Sequence, residues 1–384
     1  MRRTLGPVAG LLAGLVLAFG AHAADFRVAL IAVEDDPRLD RDRLERAYLG
    51  HPGGSAADGL KLALDDAAFE LEAAGHRLAL AEAEAASAEA AREAAARSVK
   101  EGAALLVVDL PAPWVLAVAD AVRVPVINVG EAADALREAD CRANLFHTLP
   151  SERMRADALA QTLVERRWRK VLLLVGSTPA DAARGAVVEA AAKRYGLKLV
   201  AKKPFKRSAD PRERDLANPQ LLTGGNDYDV VWVVDSDGEF ARALPYRSAL
   251  PRPVVGDAGL VALAWHAQFE RFGAPQVSRR FQKAAGRPMV AQDWAAWLAG
   301  KAAVGAVLAA DGKGPAKLTG LALDGSKGVA LAFRPWDGQL RQTLLLSDGQ
   351  GVVASAPVDG ILHPRNALDT LGADEAEKRC ARPN

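Results

Sequence analysis

Cysteine is nearly absent. Cys141 and Cys380 are the only two in the chain, too few for a Cys₄ zinc site or an iron–sulfur cluster assembled from this chain alone. An excess of one charge is lacking too: 49 Lys plus Arg face 48 Asp plus Glu, so the electrostatic footprint of a nucleic-acid binder is missing. The six histidines show no metal-ligand spacing, and no metal site is expected. Catalytic signatures are missing as well: no Gly-x-Ser-x-Gly elbow, no Walker sequence and no His-Glu-x-x-His occurs. Gly50-His51-Pro52-Gly53-Gly54-Ser55 lacks both the spacing and the preceding strand of a nucleotide fingerprint. No catalytic residue is assigned, and an enzyme is the least favoured class.

What is present fits a folded two-domain protein. The 384 residues are about twice the usual domain length of 100 to 200, and 50% apolar with 25% charged residues is the balance of a globular chain. Residues 1–24 read as a secretory signal peptide. Arg2 and Arg3 form its positive start, Val8 to Phe19 its apolar centre and Ala21-His22-Ala23 its cleavage site. That apolar stretch is short for a bilayer span of about 20 residues, and no second one follows. The mature chain is therefore expected to be exported, soluble and periplasmic.

From Phe26 onward, strand, loop and helix repeat. Phe26 to Val33, Leu78 to Leu80, Ala104 to Val108 and Val124 to Val129 are short apolar runs, as buried parallel strands should be. Gly59 to Ala74 carries Leu60, Ala63, Leu64, Ala67, Ala68 and Leu71 at helical spacing, and Ser87 caps a helix to Glu101. Strict alternation implies right-handed crossovers onto one parallel sheet. The pattern then restarts: helix Ser151 to Trp168, strand Lys170 to Val175, helix Asp181 to Tyr195, strand Leu197 to Ala201, and strands Asp229 to Val234 and Pro253 to Gly256. Residues Lys202 to Asn226 read as an irregular surface connection. In the last third, Gln292 to Ala310 forms a long helix. Gly328 to Phe333 and Leu340 to Leu346 make a hairpin around Asp337-Gly338, and Asp348-Gly349 is a second turn before Val352 to Ser355.

Several phrases carry a resemblance beyond periodicity: Cys141 to Ser151 (CRANLFHTLPS), Pro253 to Trp265 (PVVGDAGLVALAW), Gly286 to Leu298 (GRPMVAQDWAAWL), Phe333 to Leu340 (FRPWDGQL) and Leu368 to Gly372 with Cys380. On these the chain resembles the type I periplasmic solute-binding proteins of the branched-chain amino acid group, which serve ABC importers. Within that group it is most similar to the subfamily encoded beside pyrroloquinoline quinone-dependent alcohol dehydrogenases. The resemblance implies an α/β, two-lobed fold, each lobe a mainly parallel sheet flanked by helices. Lobe one is expected over residues 25–143 plus 274–325 and lobe two over 144–273 plus 326–384. Three hinge crossings are expected near Arg142 to His147, Arg271 to Gln276 and Ser326 to Ala330, with solute captured in the cleft as the lobes close.

The same resemblance sets the functional expectations. The favoured role is a monomeric transport receptor that delivers a small solute to an ABC permease; the alternative is a soluble sensor or cofactor carrier. The preferred ligand is pyrroloquinoline quinone, with a quinoprotein alcohol dehydrogenase system as a further partner, against an alcohol-derived or amino-acid-like solute. First-lobe loops that face the cleft in the family read Asp109-Leu110-Pro111-Ala112-Pro113-Trp114 and Gly130-Glu131-Ala132-Ala133. They hold no hydroxyl, which speaks against a free amino acid, because a desolvated zwitterion needs charge-assisted hydrogen bonds. Trp114 and Trp294 are expected to supply stacking surface, and Arg142, helped by His147 or Arg46, the charge. Glu131, Asp235 and Asp257 are further ligand-site candidates, the two aspartates because each follows the C-terminal end of a strand. Arg38 and Arg43, beside Arg46, read as solvated charge. Export to an oxidising compartment and an even cysteine count predict a Cys141–Cys380 disulfide that staples the C-terminal tail to the first crossing.

Overall fold

A computed structural model describes residues 24–46, 49–225, 227–310, 315 and 317–380. Apart from Ala24, the expected signal segment 1–24 lies outside the described residues. The first lobe is built on a parallel sheet of order β2-β1-β3-β4-β5, made by β1 (Ala24–Val33), β2 (His76–Ala85), β3 (Ala103–Asp109), β4 (Val126–Asn128) and β5 (Leu145–His147). Central β3 is an apolar run buried almost throughout, whereas β2 alternates half-buried and exposed residues, as an edge strand should. The helices α1 (Arg41–Glu45), α2 (Ala56–Ala73), α3 (Ala88–Lys100) and α4 (Ala112–Ala121) connect these strands. Ser55 and Ser87 cap α2 and α3 with their hydroxyls.

The second lobe repeats the plan with a parallel sheet of order β7-β6-β8-β9. Its elements are α5 (Glu152–Glu165), β6 (Lys170–Val175), α6 (Pro179–Arg194), β7 (Lys198–Pro204), α7 (Pro219–Thr223), β8 (Val230–Val234), α8 (Leu244–Arg247) and β9 (Val254–Gly256). Beyond it β10 (Val261–Leu263) pairs antiparallel with β13 (Leu344–Ser347), which pairs with β14 (Val352–Ala356). The chain visits the first lobe in between as α9 (Ala274–Ala285), α10 (Ala291–Leu308) and the short hairpin of β11 (Leu323–Asp324) and β12 (Ala330–Leu331). Helix α10 is buried nearly all round and lies hard against α2. Gly59 makes this approach possible: a Cβ there would stand 2.3 Å from the Asp293 carbonyl oxygen.

Three expectations shift. The strand at 145–147 pairs with β4 in the first sheet, beyond the division expected at 143/144. Leu331, Phe333 and Leu340 pack in the core with Trp294 and Leu298, so first-lobe packing continues past the division expected at 325/326. The Asp337-Gly338 turn forms, with Gly338 at φ 71°, yet only Phe333 and Leu340 bridge across it. The flanking runs pair elsewhere, β12 with β11 and β13 with β10 and β14.

The Cys141–Cys380 disulfide is present, with its Cα atoms 5.8 Å apart. It joins the C-terminal segment to the loop just before β5. No helix among the described residues is long and apolar enough to cross a membrane.

Candidate functional site

A cavity of about 460 Å³ opens between the lobes, walled by Gly50–Pro52, Gly130–Ala132 and Gln292 from the first and by α5, α6 and the ends of β8 and β9 from the second. It lies beyond the carboxyl ends of both parallel sheets, where strands stop and their loops diverge. That is the crevice in which open α/β sheets hold ligands.

The second-lobe wall is organised by Arg184 of α6. Its Nη1 and Nη2 donate to the two carboxylate oxygens of Asp257 at 2.9 and 2.5 Å, and its Nε to Glu152 at 3.2 Å. Asp257 also accepts the Asp235 backbone N–H at 2.6 Å. Burial would raise the pKa of Glu152, but the guanidiniums of Arg184 and Arg155 outweigh it and hold the carboxylate below its usual range. Asp181 caps α6 and gathers Ser236: its Oδ1 accepts the Ser236 N–H at 2.7 Å and hydroxyl at 2.5 Å. Trp232 on β8 forms part of the floor.

On the first-lobe wall, Arg38 donates to Asp109 at 2.7 Å and to Asp36 at 2.5 Å. Gly130 makes room for that pair, since a Cβ there would stand 1.8 Å from Asp109 Oδ1. Glu131 accepts the backbone N–H groups of Ala112 at 3.1 Å and Ala133 at 2.8 Å. Burial lowers the pKa of His51, and Asp257 only partly opposes this against Arg43, Arg184 and Arg155. Gln292 donates from Nε2 to the Gly50 carbonyl at 2.6 Å.

Of the residues singled out in the sequence, Glu131 and Asp257 line the cleft, and so does Arg38. The others do not line it. Trp294 is fully buried in the first-lobe core, stacked on Trp265 with ring centroids 6.0 Å apart, and its indole N–H is spent on the Gly325 carbonyl. An indole three residues before Trp297 on a helix apolar on all sides goes to the core. Trp114 packs half-buried on the cluster between α3 and α4. Arg142 turns outward because Asp120, at the end of α4, receives its Nε at 2.6 Å. His147 is buried at the end of β5, Nδ1 3.0 Å from Asn128 Nδ2, and its backbone pairs with Gly338 and Leu340 at the hinge. Asp235 lies just beneath the floor, accepting the Ala241 N–H at 2.8 Å, with its pKa pushed up to about 7 by burial and by Asp237 and Asp257. Arg46 makes an ion pair with Glu239 that bridges the two lobes.

Arg155, Arg184, Glu152, His51 and Gln292 were not foreseen. Arg184 and Asp257 are 73 positions apart, Gln292 and Gly50 242, so no local motif could announce them. For Glu152, Arg155 and Gln292 the available signal was position, on the first turns of α5 and α10; His51 in a loop and Arg184 further along α6 carried none. Among the described residues no group of three or more His, Cys, Asp or Glu side chains is placed to hold a metal.

The model of a family described as periplasmic binding protein matches residues 49–220. No curated protein matches the chain. Among solved structures, the leucine-, isoleucine-, valine-, threonine- and alanine-binding protein of Brucella ovis, in its closed conformation, superposes with a TM-score of 0.72 at 14% identity, over 94% of this chain and 100% of that one. A branched-chain amino acid ABC transporter periplasmic ligand-binding protein of Burkholderia xenovorans gives 0.71 at 13% identity, over 93% and 99%. A solute-binding protein of an ABC transporter from Rhodopseudomonas palustris, in complex with 3,4-dihydroxybenzoic acid, gives 0.66 at 14% identity, over 88% and 99%. These likenesses establish the fold as that of the two-lobed type I periplasmic binding proteins.

Proposed function

We propose that the chain is a periplasmic solute-binding receptor that captures a small organic molecule between its lobes and hands it to an ABC permease. The observation that carries this reading is the interlobe cleft itself, walled by side chains of both lobes at the carboxyl ends of both sheets. A solute bound there contacts both lobes at once and so favours the closed arrangement, which is how a ligand shifts a hinged pair of states. The fold likeness and the family match over residues 49–220 support the same role. The polar groups of the cleft are bonded chiefly to one another, an arrangement suited to holding a solute rather than transforming it.

The ligand is read from charge. Arg38, Arg155 and Arg184 line the cleft against Glu131, Glu152 and Asp257, and Arg38 and Arg184 each already hold two carboxylates. A balanced cleft favours a solute of low charge. Pyrroloquinoline quinone, a tricarboxylate, stays in the set to be tested, but the stacking and charge expected from Trp114, Trp294 and Arg142 do not reach the cavity. A quinoprotein alcohol dehydrogenase partner follows only if that quinone binds.

The test is titration of ligand-stripped protein, followed by tryptophan fluorescence, with branched-chain amino acids, benzoates, short alcohols and their acids, and the quinone. Saturable response to at least one compound is expected, since Trp232 forms part of the floor. Silence across the set would overturn the reading.

A further inference from the structure

We infer that the cleft is built for a hydroxylated monocarboxylic acid with an apolar body, its carboxylate on Arg155 and its hydroxyl on Gln292. This rests on the cleft being the solute site and names the class of solute.

The acids of the cavity wall are already engaged. Both oxygens of Asp257 are taken by Arg184, and Asp235 adds its N–H. Glu152 gives one oxygen to Arg184 and the other to Arg155. Glu131 spends both on backbone N–H groups, and the Ser236 hydroxyl donates to Asp181. An ammonium group entering this cleft would be desolvated with no carboxylate to itself, which is costly.

Two polar atoms of the lining residues are buried without a hydrogen-bond partner: Arg155 Nε and Gln292 Oε1. Among the described residues Arg155 makes a single side-chain hydrogen bond, from Nη1 to Glu152 at 3.3 Å, so its Nε–Nη2 edge is left as the fork that pairs with a carboxylate. The Gln292 amide is oriented by its Nε2 bond to Gly50 at 2.6 Å, leaving Oε1 as a neutral acceptor; a hydroxyl donor satisfies it. Leu159, Val187, Val234 and Val261 line the cavity and suit an apolar body. Arg155 belongs to α5 of the second lobe and Gln292 to α10 of the first. A ligand that satisfies both therefore ties the lobes together.

Calorimetric titration of the full mature chain with 4-hydroxybenzoate, 4-hydroxyphenylacetate, benzoate, 4-hydroxybenzamide and leucine tests this. At least one hydroxy acid should bind about tenfold or more tighter than the amide and than leucine. The Arg155→Gln variant should lose about tenfold to a hundredfold in affinity for that acid and with it the preference over the amide. The Gln292→Leu variant should erase the preference for 4-hydroxybenzoate over benzoate, which a merely structural role would not do; circular dichroism checks that both variants fold. Leucine binding more tightly than either hydroxy acid, or an unchanged acid-over-amide ratio in Arg155→Gln, would overturn the class while leaving the receptor reading standing. Silence from all five probes would overturn the class as well, and the receptor reading falls only if the wider set is silent too.

Discussion

Arg334, wholly buried, donates from Nε to Asp369 at 2.9 Å and from Nη2 to the carbonyls of Leu368 and Leu371 at 2.9 and 2.7 Å. Arg341 reaches the same Asp369 oxygen at 2.8 Å. Two phrases distinctive in the sequence, Phe333 to Leu340 and Leu368 to Gly372, are thus two halves of one buried contact that seats the C-terminal segment against the hinge. Removing one partner of such a pair strands the other charge in the interior. Asp369→Ala should therefore cost about 3–5 kcal/mol, read as a lowered urea midpoint with an unchanged slope; a loss below about 1 kcal/mol would mean the pair is solvated in solution.

The tail is also held covalently. The disulfide spans 239 positions, and on the chain-entropy argument closing so long a loop stabilises by up to about 5 kcal/mol. The Cys141→Ser, Cys380→Ser double variant should unfold at lower denaturant than the oxidised parent and match the reduced one. Equal midpoints for oxidised and reduced parent would contradict this.

Between these anchors lies Asp157 of α5, fully buried. Burial pushes its pKa up to about 7, although it accepts Arg194 at 2.5 Å and the Gly372 N–H at 2.8 Å. The folded chain then holds a proton that an unfolded carboxyl, with a pKa of about 4, has already released. Between roughly pH 4 and 7 the native state binds more protons, so this group's contribution to stability falls as pH rises. Asp157→Asn lacks that dependence. The stability of the variant relative to the parent should therefore rise from pH 5 to pH 8 in urea titrations, and a relative fall would refute the assignment.

The outward placement of Arg142 and the buried one of Trp294 make their own contrast. Arg142→Ala removes an outward ion pair with Asp120 and should change ligand affinity less than about threefold and stability by less than about 1 kcal/mol. Trp294→Ala empties a core position and should cost about 3–5 kcal/mol. A large affinity loss in Arg142→Ala that spares stability would restore it to the site.

The sequence made the lobes visible because buried strands announce themselves locally. Runs such as Lys170–Val175 and Ala103–Asp109 need no partner to be recognised, and serine caps at 87 and 151 mark where helices begin, whereas the cap at Ser55 was missed and its helix begun at Gly59. Edge strand β2 was seen only at Leu78 to Leu80, since its outward residues are charged or small. The cleft was harder. Asp257 was picked out because it follows a strand end, a position with topological meaning, and Glu131 because the resemblance places its loop at the cleft; Asp235, picked out on the same ground as Asp257, does not line the cavity. Arg155 and Gln292 look like ordinary polar residues on a helix, and what distinguishes them is a buried polar atom without a hydrogen-bond partner, which only the folded structure shows. Aromatic residues misled for the opposite reason: Trp294 gains more from a dry core, stacked on Trp265, than from a wet cleft.

The most direct test of the account is calorimetry on the parent chain beside a Val187→Trp variant, whose added ring would fill the cavity from the partly exposed face of α6. The account predicts one saturable site per chain for a small organic acid in the parent and none in the folded variant. Undiminished binding in the filled cleft would contradict it.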